Sequence, residues 1–323
     1  MAISHYDHVR ELTSGRVRPE GIDLTTLEFG VEEIFFRFAK YQEWDIGEMS
    51  MGKYVSLLSR GDTSLTAIPV FPSRMFRHSS IYVRRDGEIR QPSDLAGRRV
   101  GLPEWSQSAS VYSRGMLVDD HGLDLADITW VQAGVNEPGR IDTSTVVLPK
   151  GVDLTSRADA SLNELLLSGE IDAVLSAHAP QAFEDGDPRI VRLFADYEQV
   201  ERDYFARTGI YPIMHTIVMK REIAERHPWV PMNLFMAFSK AKDISVERLT
   251  EITASRIPLP WAVAYAERQR DLFGESGLWP YGVDANRTTL EAFTKWAHVQ
   301  GVAHRLVSLD EMFAPQTAEV FRI

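Results

Sequence analysis

His215 interrupts the apolar run IMHTIVM (Ile213–Met219). An imidazole titrates near neutrality, so this position suits a group that must give and regain a proton. It suits equally a core histidine bonded to backbone. Tyr211 lies four residues earlier, on the same face if the strand extends that far. Near the N-terminus His5, Tyr6, Asp7 and His8 follow a short first strand, and loops beyond strand C-termini line the crevice of open α/β sheets. His8 and Asp7 are therefore acid–base candidates, with Asp7 orienting a histidine. His5, Asp7 and His8 also have metal-ligand chemistry, but no HExxH spacing and no clear third partner. Arg74, Arg77 and His78 sit in PSRMFRHSS between two strands. A guanidinium grips carboxylate in bidentate fashion. Arg74, directly after the tight Phe71–Pro72–Ser73 segment, is the stronger anchor, and Arg77 is the one more readily solvated or paired. His78 is a further acid–base candidate. Arg140 in NEPGR is a second cationic anchor, or else a turn arginine paired with Glu137. Glu104–Ser108 joins a strand to a helix. Ser106 or Ser108 caps that helix, its N–H groups suit an anion, and Trp105 has the face to stack on an aromatic ring. Glu32 and Glu33 open an earlier helix, where the dipole favours them. Glu33 reaching the ligand is the lesser reading.

These groups must be held by 323 residues, 44% hydrophobic and 25% charged, which is ordinary globular composition. With no cysteine, disulfides, thiol nucleophiles and iron–sulfur ligation are excluded. The net charge of −11 argues against nucleic-acid and anionic-membrane partners. No GxGxxG, GxxxxGK[ST] or GxSxG motif occurs in its required context. No basic-then-apolar leader and no apolar run near 18 residues is present, so a cytoplasmic location is expected.

Short apolar runs alternate with helical patterns. Strands are predicted at Ile22–Phe29, Asp45–Met49, Leu65–Phe71, Ser79–Arg84, Arg98–Leu102, Ile128–Val131, Ile171–Leu175, Ile190–Phe194 and Ile213–Met219. Helices are predicted at Val31–Tyr41, Met51–Arg60, Ser108–His121, Ala160–Ser168, Tyr197–Arg207, Arg221–Arg226, Val230–Ile244, Trp261–Phe273 and Thr289–Gln300. An excursion is expected over Arg140–Leu148. This alternation indicates α/β architecture. It suggests two lobes, the first from residues 1–84 and 212–323, the second an insert of 85–211, hinged near Arg84–Glu88 and Thr208–Tyr211. The alternative is one continuous sheet.

The segments RVRPEGIDLTTLE (Arg16–Glu28), AIPVFPSRMFRHSSIYV (Ala67–Val83), NEPGR (Asn136–Arg140), GIYPIMHTIV (Gly209–Val218), ERHPWV (Glu225–Val230) and WPYGVDANRTTLEAF (Trp279–Phe293) resemble the 4,5-dihydroxyphthalate decarboxylase family. The resemblance is collinear over nearly the whole chain. It implies a two-lobed fold similar to type 2 periplasmic solute-binding proteins, with a ligand cleft between the lobes. It also implies cofactor-independent loss of CO2 from a hydroxylated aromatic acid in phthalate breakdown, giving 3,4-dihydroxybenzoate from 4,5-dihydroxyphthalate. A divalent metal is not required by this reading. SQSAS stands where the family usually has a Gln-Met-Thr-Ala type sequence. His178, in SAHAP, stands where arginine is commoner, which marks it as a specificity residue.

Such a reaction needs a proton donor for the ring carbon, a partner for the phenol oxygen and cationic anchors for carboxylate. The expected assignments are His215 as donor, with His78, Asp7 and His8 as further candidates. Arg74, Arg140, Trp105, Ser108, Tyr211, His178, Arg77 and Glu33 are the expected substrate-binding residues. The partner is a small aromatic carboxylate, and a homo-oligomer would be usual for an enzyme of this size. Two other functions use the same cleft: a non-catalytic small-anion binding protein, and a dehydratase that retains the carboxyl carbon.

Overall fold

The computed structural model describes residues 1–140, 145–254, 256–274 and 277–317. Its strands are β1 (Ala2–Ile3), β2 (Leu27–Glu28), β3 (Ile46–Ser50), β4 (Leu65–Ile68), β5 (Ile81–Arg84), β6 (Arg99–Leu102), β7 (Thr129–Gly134), β8 (Asp153–Ser161), β9 (Ala173–Leu175), β10 (Ile190–Arg192) and β11 (His215–Lys220). They form two sheets, ordered β2-β1-β3-β11-β4 and β10-β5-β9-β6-β7-β8. The two-lobed α/β architecture is therefore present. In each sheet one strand runs against the rest, β11 in the first and β5 in the second. These are the two strands on which the chain enters a new sheet.

β5, expected at the end of the first lobe, pairs Ile81 with Leu175 and Val83 with Ala173 in the second sheet. β5 therefore belongs to the second sheet, whereas the expected crossing follows it at Arg84–Glu88. The apolar run IYV fits either sheet, so pattern alone does not settle its membership. The antiparallel bridge between Arg74 and Ile213 brings the outgoing and returning segments side by side.

Most predicted elements are found within a few residues. The helices Val31–Tyr41 and Ser108–His121 begin and end as predicted. Ile34, Phe35 and Phe38 are buried, as the 3.6-residue period requires. Only Leu27–Glu28 of the predicted Ile22–Phe29 strand pairs. The long edge strand β8 lies where no strand is predicted. Its sequence DLTSRADAS carries one large apolar side chain and its residues are mostly exposed, so it has no apolar alternation to read. Part of the expected Arg140–Leu148 excursion, residues 141–144, lies outside the described residues.

The lobes meet closely behind the cleft. The helix Arg287–Val299 buries Leu290, Phe293 and Trp296. Phe293 packs on Tyr112 with ring centroids 5.0 Å apart, and Trp296 Nε1 donates to Asp119 at 2.9 Å. Gly52, in the first turn of the helix Met51–Ser59, donates its N–H to Ser108 Oγ at 3.0 Å. A Cβ at Gly52 would overlap the Ser106 carbonyl oxygen. Because the obstacle is backbone, Gly52→Ala is expected to destabilise the protein by about 1–3 kcal/mol. Urea denaturation checks this, and an unchanged midpoint with unchanged slope would contradict it.

Candidate active site

β1, β3 and β4 run parallel, and the antiparallel β11 begins beside the end of β3. His215 is the first residue of β11 and pairs with Ser50, the last of β3. Glu48 lies two residues back on β3, diagonal to His215 on the same face. Its side chain is fully buried, and such a carboxylate needs hydrogen bonds to offset lost hydration. It receives three. Ser4 N donates to Oε2 at 3.1 Å, Tyr6 OH donates to Oε1 at 2.6 Å, and His215 Nδ1 lies 2.6 Å from Oε1. Burial, then the Glu48 carboxylate, push the Tyr6 phenol well above its ordinary range, so Tyr6 stays a neutral donor. Phe35 packs edge-on against the His215 ring, centroids 4.7 Å apart. With Nδ1 fixed by Glu48, Nε2 is the ring nitrogen left for chemistry.

His215 lines a cleft cavity of about 390 Å³, the size of a small-molecule site. Ser50, Ser73, Phe35 and Met214 contribute from one side, and Ser108, Gln107, Glu104, Arg140 and His178 from the other. Arg77 also lines it. Arg77 is 8% exposed, and among the described residues the only hydrogen bonds of its guanidinium go to sulfur: Nε to Met214 Sδ at 3.3 Å and Nη1 to Met75 Sδ at 3.8 Å. Burial lowers its pKa to about 10, partly opposed by Glu201, so it remains a cation at neutral pH. The Arg77 guanidinium thus lines the cavity with no carboxylate bonded to it among the described residues.

Opposite it, Glu104 gathers two cations. Arg140 Nη2 donates to Oε1 at 2.8 Å, and Lys53 Nζ lies 3.8 Å from Oε2. Arg140 also reaches Glu32 at 3.5 Å, and His178 Nε2 lies 3.8 Å from the same carboxylate. Burial lowers the Arg140 pKa, but Glu104 and Glu32 outweigh that and hold it above its usual value. Ser108 Oγ is 2.8 Å from Ser50 Oγ, closing the base of the cleft between the lobes.

His215, Arg77, Arg140, Ser108 and His178 are thus brought together, and the other sequence candidates are not. Arg74 is fully enclosed and binds Pro280 O at 3.0 Å, Tyr211 O at 3.0 Å and Asn286 Oδ1 at 2.7 Å, tying the crossing segments together. Tyr211 precedes β11 instead of sharing its face. Its ring stacks on Phe76 at 5.0 Å beneath the Arg74 guanidinium. Trp105 is wholly buried, with Arg114 3.7 Å above its ring and Nε1 donating to Gln300 O, so no substrate ring reaches it. Glu33 turns outward to Arg37 at 2.7 Å, while its neighbour Glu32 faces the cleft, a consequence of the 100° helical step.

His78 packs against Tyr204 and Phe194 outside the cavity. Asp7 is held by Ser245 and Arg248, and these contacts outweigh burial to lower its pKa. His8 lies between Tyr6 and Trp279. His5 pairs with Glu28. The three metal-ligand candidates therefore point to different partners, and among the described residues no group of three His, Asp or Glu is placed to hold a metal. Burial lowers both His8 and His78 to about pKa 4. Their unfolded-state value is near 6.5, so between those values the unfolded chain binds more protons. Stability is expected to fall as pH drops from about 6.5 towards 4. Urea midpoints at several pH values test this, and His78→Gln should flatten the decline; an unaltered slope would contradict the assignment.

Glu48 was not singled out from sequence. The available signal was an acid inside the strand IGEMS, all of whose residues are buried. Such a residue requires partners, and a histidine on the neighbouring strand was already in view.

The chain is 36% identical over 324 residues to a 4,5-dihydroxyphthalate decarboxylase of Comamonas testosteroni, covering 100% of this chain and 98% of that one. It is 38% identical over 206 residues to another of Pseudomonas putida, covering 64% of this chain and 80% of that one. Residues 32–174 match a family described as ABC transporter, phosphonate, periplasmic substrate-binding protein. Among solved structures, a putative periplasmic sulfonate-binding protein of Methylobacillus flagellatus aligns with a TM-score of 0.56 at 15% identity, covering 96% and 86% of the two chains. The periplasmic aliphatic sulphonate binding protein of Escherichia coli aligns at 0.52 with 13% identity, covering 98% and 90%. These structures establish the two-lobed periplasmic-binding-protein-like fold. They also correct the expected cytoplasmic location: the matched family and these fold relatives are periplasmic proteins. Among the described residues no helix is long and apolar enough to cross a membrane.

Proposed function

The chain belongs to the 4,5-dihydroxyphthalate decarboxylase family, and from that premise we propose that its cleft removes CO2 from a dihydroxyphthalate-like acid. The product from 4,5-dihydroxyphthalate is 3,4-dihydroxybenzoate. This makes the protein a carbon–carbon lyase of aromatic-acid breakdown. The observation that carries the reading is His215 fixed by buried Glu48 within the cavity that Arg77 lines.

In this mechanism Arg77 receives a substrate carboxylate, exchanging its sulfur contacts for charge-assisted bonds. The ring lies along Phe35. A phenol oxygen para to the departing carboxylate lies towards Lys53 and Arg140, whose charge steadies it as a phenolate. Electrons move from that oxygen into the ring, and the protonated His215 gives its Nε2 proton to the carbon bearing the carboxylate. Glu48 keeps the ring oriented and steadies the imidazolium before transfer. The C–C bond then breaks, its electron pair restores the aromatic ring, and CO2 leaves. His215 regains one proton from solvent, balancing the one delivered. Ser108, Arg140 and His178 belong to the inserted lobe, so closure completes the site and excludes water. We place the two crossings between β4 and β5 and between β10 and β11.

The test is a time course with purified, metal-stripped protein and 4,5-dihydroxyphthalate, following substrate and aromatic product by chromatography. Equimolar 3,4-dihydroxybenzoate is expected. Saturable binding with no turnover would favour a small-anion binding protein. Loss of water with both carboxyls retained would indicate a dehydratase.

A further inference from the structure

A second cavity, of about 330 Å³, adjoins the cleft. Phe35, Phe36 and Lys53 line both spaces and stand between them. Lys40 and Arg60 complete its charged wall. Lys40 lies in the last turn of the helix Val31–Tyr41, and Arg60 directly follows the helix Met51–Ser59. Lys40 Nζ sits over the rings of Phe36 and Tyr41 at 5.2 and 5.1 Å, and Arg60 Nε donates to Ser56 O at 3.3 Å. Among the described residues neither has a carboxylate partner. Arg37, on the same helix as Lys40, is by contrast held by Glu33 and Glu43. Helix dipoles favour a cation near each C-terminus, but do not require both to line one cavity.

Three cations gathered beside the cleft oppose the sign of a chain whose net charge is −11. Phe36, 54% exposed, adds an apolar face of a kind that suits a benzene ring. We propose that this cavity is a capture site for aromatic dicarboxylates, from which the dianion passes Lys53 into the cleft. The inference rests on the reading of the substrate as such a dianion. Focused positive charge raises the local concentration of an anion and its capture. Lys40 and Arg60 act here by attraction and take no part in the chemistry.

The experiment compares wild type with Lys40→Glu/Arg60→Glu by calorimetric binding of phthalate, a dianion without the reacting hydroxyls, and of neutral catechol. At low ionic strength the double variant is expected to bind phthalate about tenfold or more weakly. The difference should shrink to within about twofold near 0.5 M salt, where the screening length is only a few ångströms. Catechol affinity should be unchanged. Lys40→Gln/Arg60→Gln should give an intermediate loss, which guards against misfolding of the charge-reversed protein. Equal phthalate affinity in all three proteins, parallel loss of catechol, or no phthalate binding by wild type would overturn the proposal. CO2 release from 4,5-dihydroxyphthalate is followed alongside. Its absence from wild type would remove the decarboxylase reading, while the phthalate comparison still decides this one.

Discussion

His215→Asn is expected to lower kcat by about 10²–10⁴-fold while leaving substrate affinity within a few-fold of wild type. Asparagine keeps a polar group towards Glu48 but has no proton to deliver and regain near neutral pH. The side chain is 15% exposed at the cleft wall, so the exchange leaves the apolar layers of β11 untouched. Ile217, Val218 and Met219 continue to hold that strand in the sheet. Folding should therefore survive, which circular dichroism and a urea midpoint would verify. Near-normal turnover by a folded variant would remove His215 from the proton-donor role. Glu48 acts through His215 and is a positioning residue. Its loss would also remove the acceptor that Tyr6 and Ser4 share, so its replacement is a less specific probe.

Replacing Arg77 should produce the other large effect. An arginine buried against two methionine sulfurs has given up hydration without a bonded carboxylate in return. If that cost is held for the substrate, Arg77→Met should raise KM by about 30- to 1000-fold, equivalent to about 2–4 kcal/mol of binding. The same change should leave the unliganded protein as stable as wild type or more so, because it removes a desolvated charge. An arginine of purely structural value would show the reverse: destabilisation with unaltered KM. Steady-state kinetics and denaturant titration of one variant therefore separate the two roles. Arg74 provides the contrast. Its guanidinium satisfies Pro280, Tyr211 and Asn286, so its loss should register in stability first.

The difference between these two arginines marks how far the sequence can be read. Both lie in PSRMFRHSS, three residues apart, and nothing in residue type distinguishes them. The bridge from Arg74 to Ile213 decides the matter by turning Arg74 into the junction of the crossing segments. Arg77 is left facing the cleft, although sequence position alone favours Arg74. Trp105 fails as a stacking platform for a similar reason. Its neighbours Arg114 and Gln300 are distant in sequence, and their joint burial with it is a tertiary event.

What the sequence does carry is local. Apolar periodicity placed the helix that buries Phe35 and Phe38, and the strand that His215 interrupts. His215 lines the cleft because it is the first residue of β11, where that strand opens beside the end of β3. Glu48 was legible in principle, since a carboxylate within a fully buried strand must find donors. The residues that share it, Ser4, Tyr6 and His215, come together only when β1 and β11 flank β3. Collinear resemblance supplied the fold and the reaction class. It did not supply which of Arg74 and Arg77 lines the cleft.

The central claim is that His215 delivers the proton to the ring carbon that loses CO2. The most direct test runs 4,5-dihydroxyphthalate with metal-stripped wild type and with His215→Asn in D2O, measuring CO2 and locating deuterium in the product. Wild type should release one CO2 per 3,4-dihydroxybenzoate, with a single deuterium at the vacated carbon. Neither should form from the variant on that timescale. Labelled product appearing at the same rate from both proteins, or substrate recovered unchanged from wild type, would contradict it.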